Sequence, residues 1–297
     1  MTPAPKPQDE PAAGPVLPGL LVEPEWVVAH LGDRRLCIAD LRDGEAYEGG
    51  HIPGAVQLDL EDIGEIRDGC DNAVLPPMDF ERVMARLGIC KGDTVVAYDD
   101  HWGLPSARLT WALHYYGKRE AAVLNGGWDR WQEEGRPTTG VPRSDGAAAE
   151  NSDSPENSGS PAPKGRDGFE AHPNPDVAAN FEWIVERVTR EDVILLDTRS
   201  RAEFDQGHLP GAKCWDWFNA VPTGSWDCCR DPEALRSELA TLGVHPSDEV
   251  VAYCRSGMRA AHTYVVLRHA GFPRVRLYDG SWQEWSMRDA PGRHEDG

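Results

Sequence analysis

The chain has 297 residues and a formal net charge of -20 at pH 7, with 40% hydrophobic and 27% charged residues. That length suggests about two domains of ~150 residues, each able to bury a core. The acidity argues against nucleic acid or an anionic membrane as partner, since both demand a basic face. No run of about 18 apolar residues is available to span a bilayer. The N-terminal stretch MTPAPKPQDEPAAGP lacks the charged-then-apolar pattern of a secretory leader, so a cytoplasmic location is expected.

Residues 1–18 are Pro-rich and polar and are expected to form a disordered tail. Residues 19–137 read as a first domain. It carries an apolar run ending in Asp40-Leu-Arg42, a turn Gly50-His-Ile-Pro-Gly-Ala55, helical spacing from Phe80 to Leu87, a strand Val95–Tyr98 and the block Asn125-Gly-Gly-Trp128 with Trp131. Residues 138–168 are rich in Ser, Pro, Gly, Asn and charge and read as a flexible linker. Residues 169–297 then repeat the blocks in the same order. Asp197-Thr-Arg199 answers Asp40-Leu-Arg42, Gly207–Ala212 answers the turn, Val250–Tyr253 answers the strand, and Asp279-Gly-Ser-Trp282 with Trp285 closes the copy. Matching blocks at near-constant spacing identify a duplicated domain.

Short β-branched runs such as Val193–Leu196 and Val250–Tyr253 predict buried strands. Between them lie helical segments, including Pro232–Leu242, opened by Asp231 as N-cap, and Ala260–His269, closed by Gly271. This alternation predicts an α/β fold, each copy a mostly parallel sheet flanked by helices, with chemistry beyond the C-terminal ends of the strands.

Seven cysteines are present, an odd number without a C-x-x-C pair, so neither a disulfide framework nor a zinc site is predicted. Cys254 stands apart. It follows the strand Val250–Tyr253 and opens the loop Cys254-Arg-Ser-Gly-Met-Arg259, which leads into a helix. The loop N–H groups and the helix dipole favour negative charge there, and Arg255 and Arg259 add two cations, so the thiolate and its nucleophilicity are favoured. A buried core cysteine at a strand end is the bland alternative. The first copy has Asp99 at the matching position and therefore has no thiol nucleophile there.

Together the D-x-R blocks, both G-H-[IL]-P-G-A turns, the Cys254–Arg259 loop and the G-x-W-x-x-W ends resemble the two-domain rhodanese family of thiosulfate and 3-mercaptopyruvate sulfurtransferases. The resemblance implies tandem duplicated rhodanese domains with catalysis confined to the second. It implies Cys254 as nucleophile, Arg255, Ser256, Gly257, Met258 and Arg259 as the loop that binds the transferred sulfur and donor, and Arg199 as a further substrate-binding candidate. It implies a ping-pong transfer from a small-molecule sulfur donor to a thiophilic acceptor, without metal or organic cofactor and with a protein acceptor left open.

The loop combines Arg255, as in thiosulfate users, with Ser256, as in mercaptopyruvate users, and thiosulfate is favoured because two arginines flank the nucleophile. Glu203 stands where long members of the family often place a substrate-binding arginine, with Arg201 close by. His51 and Asp40 match positions proposed to assist the serine in mercaptopyruvate enzymes, although both histidines, His51 and His208, also read as turn-fixing residues, and Asp197–Arg199 as a structural ion pair. Trp128, Trp131, Trp282 and Trp285 read as core, and Trp102, Trp215 and Trp217 as core or cleft. Two rivals remain: a rhodanese-fold phosphatase, for which a C-x5-R loop would be expected, and a non-enzymatic persulfide carrier.

Overall fold

The aliphatic runs that alternate with helical segments fold, in the computed structural model, as two parallel sheets, and the structure describes residues 13–140, 166–190 and 192–288. The first copy contains β1 (Leu21–Val22), α1 (Pro24–His30), β2 (Leu36–Asp40), α2 (Gly44–Gly49) and β3 (Ala55–Gln57). It continues with β4 (Gly64–Arg67), β5 (Cys70–Val74), α3 (Pro77–Arg86), β6 (Thr94–Tyr98), α4 (Leu104–Tyr115), β7 (Ala121–Leu124) and α5 (Gly127–Glu133). The second contains β8 (Ala178–Ala179), α6 (Phe181–Val185), β9 (Val193–Asp197), α7 (Arg201–Asp205) and β10 (Lys213–Cys214). Then follow α8 (Pro232–Thr241), β11 (Glu249–Tyr253), α9 (Met258–His269), β12 (Val275–Tyr278) and α10 (Ser281–Met287).

The sheet orders are β1-β7-β6-β2-β3 and β10-β9-β11-β12-β8, every pairing within them parallel. The orders superpose when β1 is matched to β8 and β6 to β11, as the repeat requires. All five residues of β6 are buried, because helices cover both faces of such a sheet. A β4–β5 antiparallel hairpin leaves the first copy, and among the described residues the second copy has no such hairpin.

α4 packs against α9, and one apolar cluster joins the copies through Leu109, Trp111, Tyr264 and Val265. His114 Nδ1 lies 3.1 Å from the Tyr264 hydroxyl across this seam. Trp111, Trp131, Trp215 and Trp285 are fully buried, and truncating any one of them to Ala costs about 3–5 kcal/mol.

Local signals explain the helix bounds. Asp231 accepts from Ala234 N at 2.9 Å, and Pro232 occupies the first turn of α8. α3 begins at Pro77, earlier than Phe80, because proline fits the first turn, where its missing N–H costs nothing.

The tail expectation needs correction where it can be seen. Gly14 N donates to Gly92 O at 2.9 Å and Pro15 O accepts from Thr94 Oγ1 at 2.7 Å, so the chain is docked on the first copy from Gly14. A Cβ at Gly14 would lie 2.6 Å from Thr94 N, so glycine permits this approach. The ends of the expected linker are docked too: Thr139 exchanges backbone hydrogen bonds with His51, and Arg166 pairs with Asp93. Residues 1–12 of the tail and 141–165 of the linker lie outside the described residues.

Candidate active site

β11 runs beside β9 with Tyr253 opposite Asp197, so Cys254 is the first residue beyond the C-terminal edge of the sheet. Its backbone is clamped by α10: Cys254 N donates to Ser281 Oγ at 3.1 Å, and its carbonyl accepts from Trp282 N at 3.0 Å. Gly257, at φ +86°, turns the chain into α9 as its N-cap. A side chain there would be strained, and its Cβ would sit 2.9 Å from Arg108 Nη1 and 3.1 Å from Asp279 Oδ1. Residues 255–259 thus curl about Cys254, whose side chain stands at the start of a twelve-residue helix and is 1% exposed.

The cations around this loop all carry carboxylate partners. Arg259 meets Glu203 through two bonds of 2.7 and 2.8 Å. Burial opposes the Arg259 charge, but Glu203 and Cys254 outweigh it and hold the guanidinium above its ordinary range. Arg259 in turn pulls Glu203 down to about 2, a shift that burial only partly opposes and that hydrogen bonds from Ser200 reinforce. Arg108, a buried side chain from the first copy, reaches Asp279 at 2.7 Å. Arg199 is held by Asp197 at 2.6 Å, and Arg255 lies 3.6 Å from Asp71.

The β4–β5 hairpin of the first copy lies over the loop. Asn72 Nδ2 donates to Ser256 Oγ at 3.3 Å, Val74 N donates to Asp279 Oδ2 at 2.9 Å, and the Arg108 guanidinium bonds Asn72 O. Gln283 pins the hairpin from the other side, accepting from Asp71 N at 3.2 Å and donating to Gly69 O at 2.8 Å. A cavity of about 370 Å³ lined by Arg199, Glu203, Arg255, Trp282 and Gln283 opens beside the loop.

The first copy shows what such a loop holds. Asp99, buried at the position of Cys254, accepts from His101 N at 2.7 Å, Gly103 N at 2.9 Å and Ser106 N at 2.9 Å. Burial raises its carboxyl, and these N–H groups work against that rise. The loop turning into α4 is therefore filled by the chain's own carboxylate.

The rhodanese-like domain family matches residues 23–134 and 180–288. The sulfur carrier protein TtuD of Thermus thermophilus is 33% identical, the alignment covering 90% of this chain and 94% of that protein. The thiosulfate sulfurtransferase of Corynebacterium glutamicum is 31% identical over 90% of this chain and 88% of that one. The chain belongs to the rhodanese family. Among solved structures, SseA from Escherichia coli, described as a 3-mercaptopyruvate sulfotransferase, aligns with a TM-score of 0.74 at 24% identity, covering 89% of this chain and 99% of that one, a likeness of fold.

In this rhodanese, Arg199 lies behind the loop. It is 3% exposed, gives Nε and Nη2 to Asp197, donates Nη2 to Gly207 O at 2.7 Å and stacks on Trp282. Arg42 repeats this with Asp40, Gly50 O and Trp128. His51, Asp40 and Ser256 do not form a relay: His51 Nδ1 faces Tyr47 O at 2.9 Å, Asp40 holds Arg42 and Tyr98, and Ser256 meets Asn72. His208 repeats the turn contact with Phe204 O at 3.1 Å. Arg201 pairs with Asp205 at 2.8 Å on the exposed side of α7. Trp215 is core, Trp217 packs edge-on against His262, and Trp102 lines a separate cavity of about 970 Å³ with Phe218 and Trp226.

Burial pushes up the thiols of Cys37, Cys70, Cys214, Cys228 and Cys229, Cys37 to about 11 and Cys229 to about 12, which disfavours nucleophilic roles for them. Among the described residues no cluster of His, Cys, Asp and Glu could hold a metal ion. Sequence reasoning missed Ser281, Arg108, Asp279 and the hairpin. Two signals were there to use. Ser281 replaces Gly127 of the first copy, and Arg108 stands where α9 has His262.

Proposed function

We propose that Cys254 is the nucleophile of a sulfurtransferase that moves sulfane sulfur from thiosulfate, or secondarily 3-mercaptopyruvate, to a thiophilic acceptor. The Cys254 thiolate attacks the outer sulfur of thiosulfate, the bond between the two donor sulfurs breaks, and its electron pair leaves with sulfite. The resulting persulfide keeps a negative terminal sulfur at the loop N–H groups of residues 255–259. Cyanide or a thiolate then attacks that sulfur, the bond to Cys254 Sγ breaks, and the thiolate is restored.

The observation that carries this reading is the pairing of loops: an equivalent loop at Asp99 accepts a buried carboxylate through three N–H groups, and the second copy puts cysteine there instead. The names of curated relatives support the donor class, including the thiosulfate sulfurtransferase of Pseudomonas aeruginosa at 29% identity. A cytoplasmic location, where thiols stay reduced, is part of this reading. Thiocyanate formation from thiosulfate and cyanide should occur in wild type and vanish in Cys254→Ser; activity retained in the variant refutes the assignment.

A second reading, a persulfide carrier serving a protein acceptor, draws on the relative named as a sulfur carrier. A stable adduct of about +32 Da on Cys254, seen by mass spectrometry, with negligible turnover on small acceptors would favour it.

A further inference from the structure

The four arginines nearest the Cys254 loop are each matched by one carboxylate, and the four pairs differ in kind. Asp197–Arg199 and Asp279–Arg108 close at 2.6 and 2.7 Å on buried arginines, and Glu203–Arg259 closes at 2.7 Å with side chains 36% and 24% exposed. Asp71–Arg255 is open: 3.6 Å apart, its side chains 43% and 65% exposed. Its carboxylate comes from the other copy, on a hairpin held over the loop by Gln283 and Asn72. An anionic donor approaching Cys254 therefore meets one cation that can be released without breaking a close pair, and that cation already holds an anion.

We propose that Asp71 is a specificity-determining residue, a built-in competitor whose carboxylate occupies Arg255 until a donor anion displaces it. This rests on the sulfurtransferase reading and adds where donor selectivity is set. The gain from displacement scales with donor charge, because a dianion recovers more attraction at Arg255 than Asp71 gave up, whereas a monoanion only matches it. Asp71 thus raises the threshold for weakly charged donors and for stray monoanions. Asp68, on the same hairpin but not paired with Arg255, supplies the control for a mere change of net charge.

The test compares wild type, Asp71→Asn and Asp68→Asn. Thiosulfate KM is measured in the cyanide assay, and thiosulfate affinity is measured by calorimetry on the same proteins carrying Cys254→Ser. Asp71→Asn should lower thiosulfate KM and Kd about two- to five-fold, the range of an exposed ion pair, with kcat nearly unchanged. The gain should be larger for monoanionic 3-mercaptopyruvate, which cannot outcompete Asp71 for Arg255, should shrink at high salt, and should disappear in an Arg255→Gln background. Equal effects of Asp68→Asn and Asp71→Asn, an unchanged or raised Kd in Asp71→Asn, or no thiosulfate binding at all would overturn the inference. Failure of the underlying reading shows separately, as sulfur transfer that does not depend on Cys254.

Discussion

Glu203→Gln removes the carboxylate that faces Arg259 while keeping the shape of the side chain. Glu203 caps α7 with Ser200 and makes two bonds to Arg259, and a glutamine amide can reproduce only one acceptor and turns a donor toward a donor. The drop of the carboxyl from 4.5 to about 2 corresponds at face value to about 3 kcal/mol. The Glu203 side chain is 36% exposed, so solvent screening reduces this to about 1–2 kcal/mol. At about 2–4 °C per kcal/mol, thermal unfolding at pH 7 should begin roughly 2–8 °C lower in the variant. A carboxyl depressed in the folded state gives stability that is complete above its ordinary value near 4.5 and lost as pH falls toward 2. The advantage of wild type over Glu203→Gln should therefore be constant from pH 7 to about pH 5 and roughly halved by pH 3. Differential scanning fluorimetry across that range reads both. A change under about 1 °C at pH 7, or an advantage undiminished at pH 3, would refute the assignment of Glu203 as the ionised partner of Arg259.

Two further outcomes follow from the same geometry. Gly257→Ala places a Cβ 2.9 Å from Arg108 Nη1 at φ +86°, so it should cost about 1–2 kcal/mol in urea unfolding and lower kcat/KM as the loop shifts. His114 and His262 are buried and lowered to about 4, chiefly by desolvation, so the unfolded chain binds more protons between pH 6.5 and 4. Stability should be fully present above pH 6.5 and fall toward pH 4, by at most about 3 kcal/mol for each histidine, and His262→Gln should flatten that fall in a pH series of unfolding curves.

The repeat and the strand–helix alternation were legible because burial on both faces forces near-continuous apolar runs, such as Val250–Tyr253, and because the turns need particular residues, such as Gly207–Ala212. Cys254 stood out as the candidate nucleophile because the two copies differ there, Asp99 against Cys254. The electrostatics were less so. Arg255 and Arg259 read as free cations from their spacing, yet their partners lie far away in sequence, at Asp71 and Glu203. Spacing reports neighbours on one element and is silent on a carboxylate brought in by a hairpin of another domain. The docked tail escaped for a like reason: Gly14 is held by backbone groups of Gly92, which composition does not register.

The duplication also sets different charges about the two equivalent loops. α4 and α9 pack together about the domain seam, and equivalent positions on them face opposite loops: Arg108 of α4 reaches Asp279 beside Gly257, while His262 of α9 lies 3.0 Å from Cys228 O near the Asp99 loop. A cation therefore serves the loop that holds a thiol, and a neutral imidazole, lowered to about 4, serves the loop that already holds a carboxylate. The interior charges are thus allotted differently to the two loops. On the proposal above, a persulfide at Cys254 brings to its loop the negative charge that Asp99 brings permanently to the other, so the second copy is completed by its substrate and the first by its own side chain.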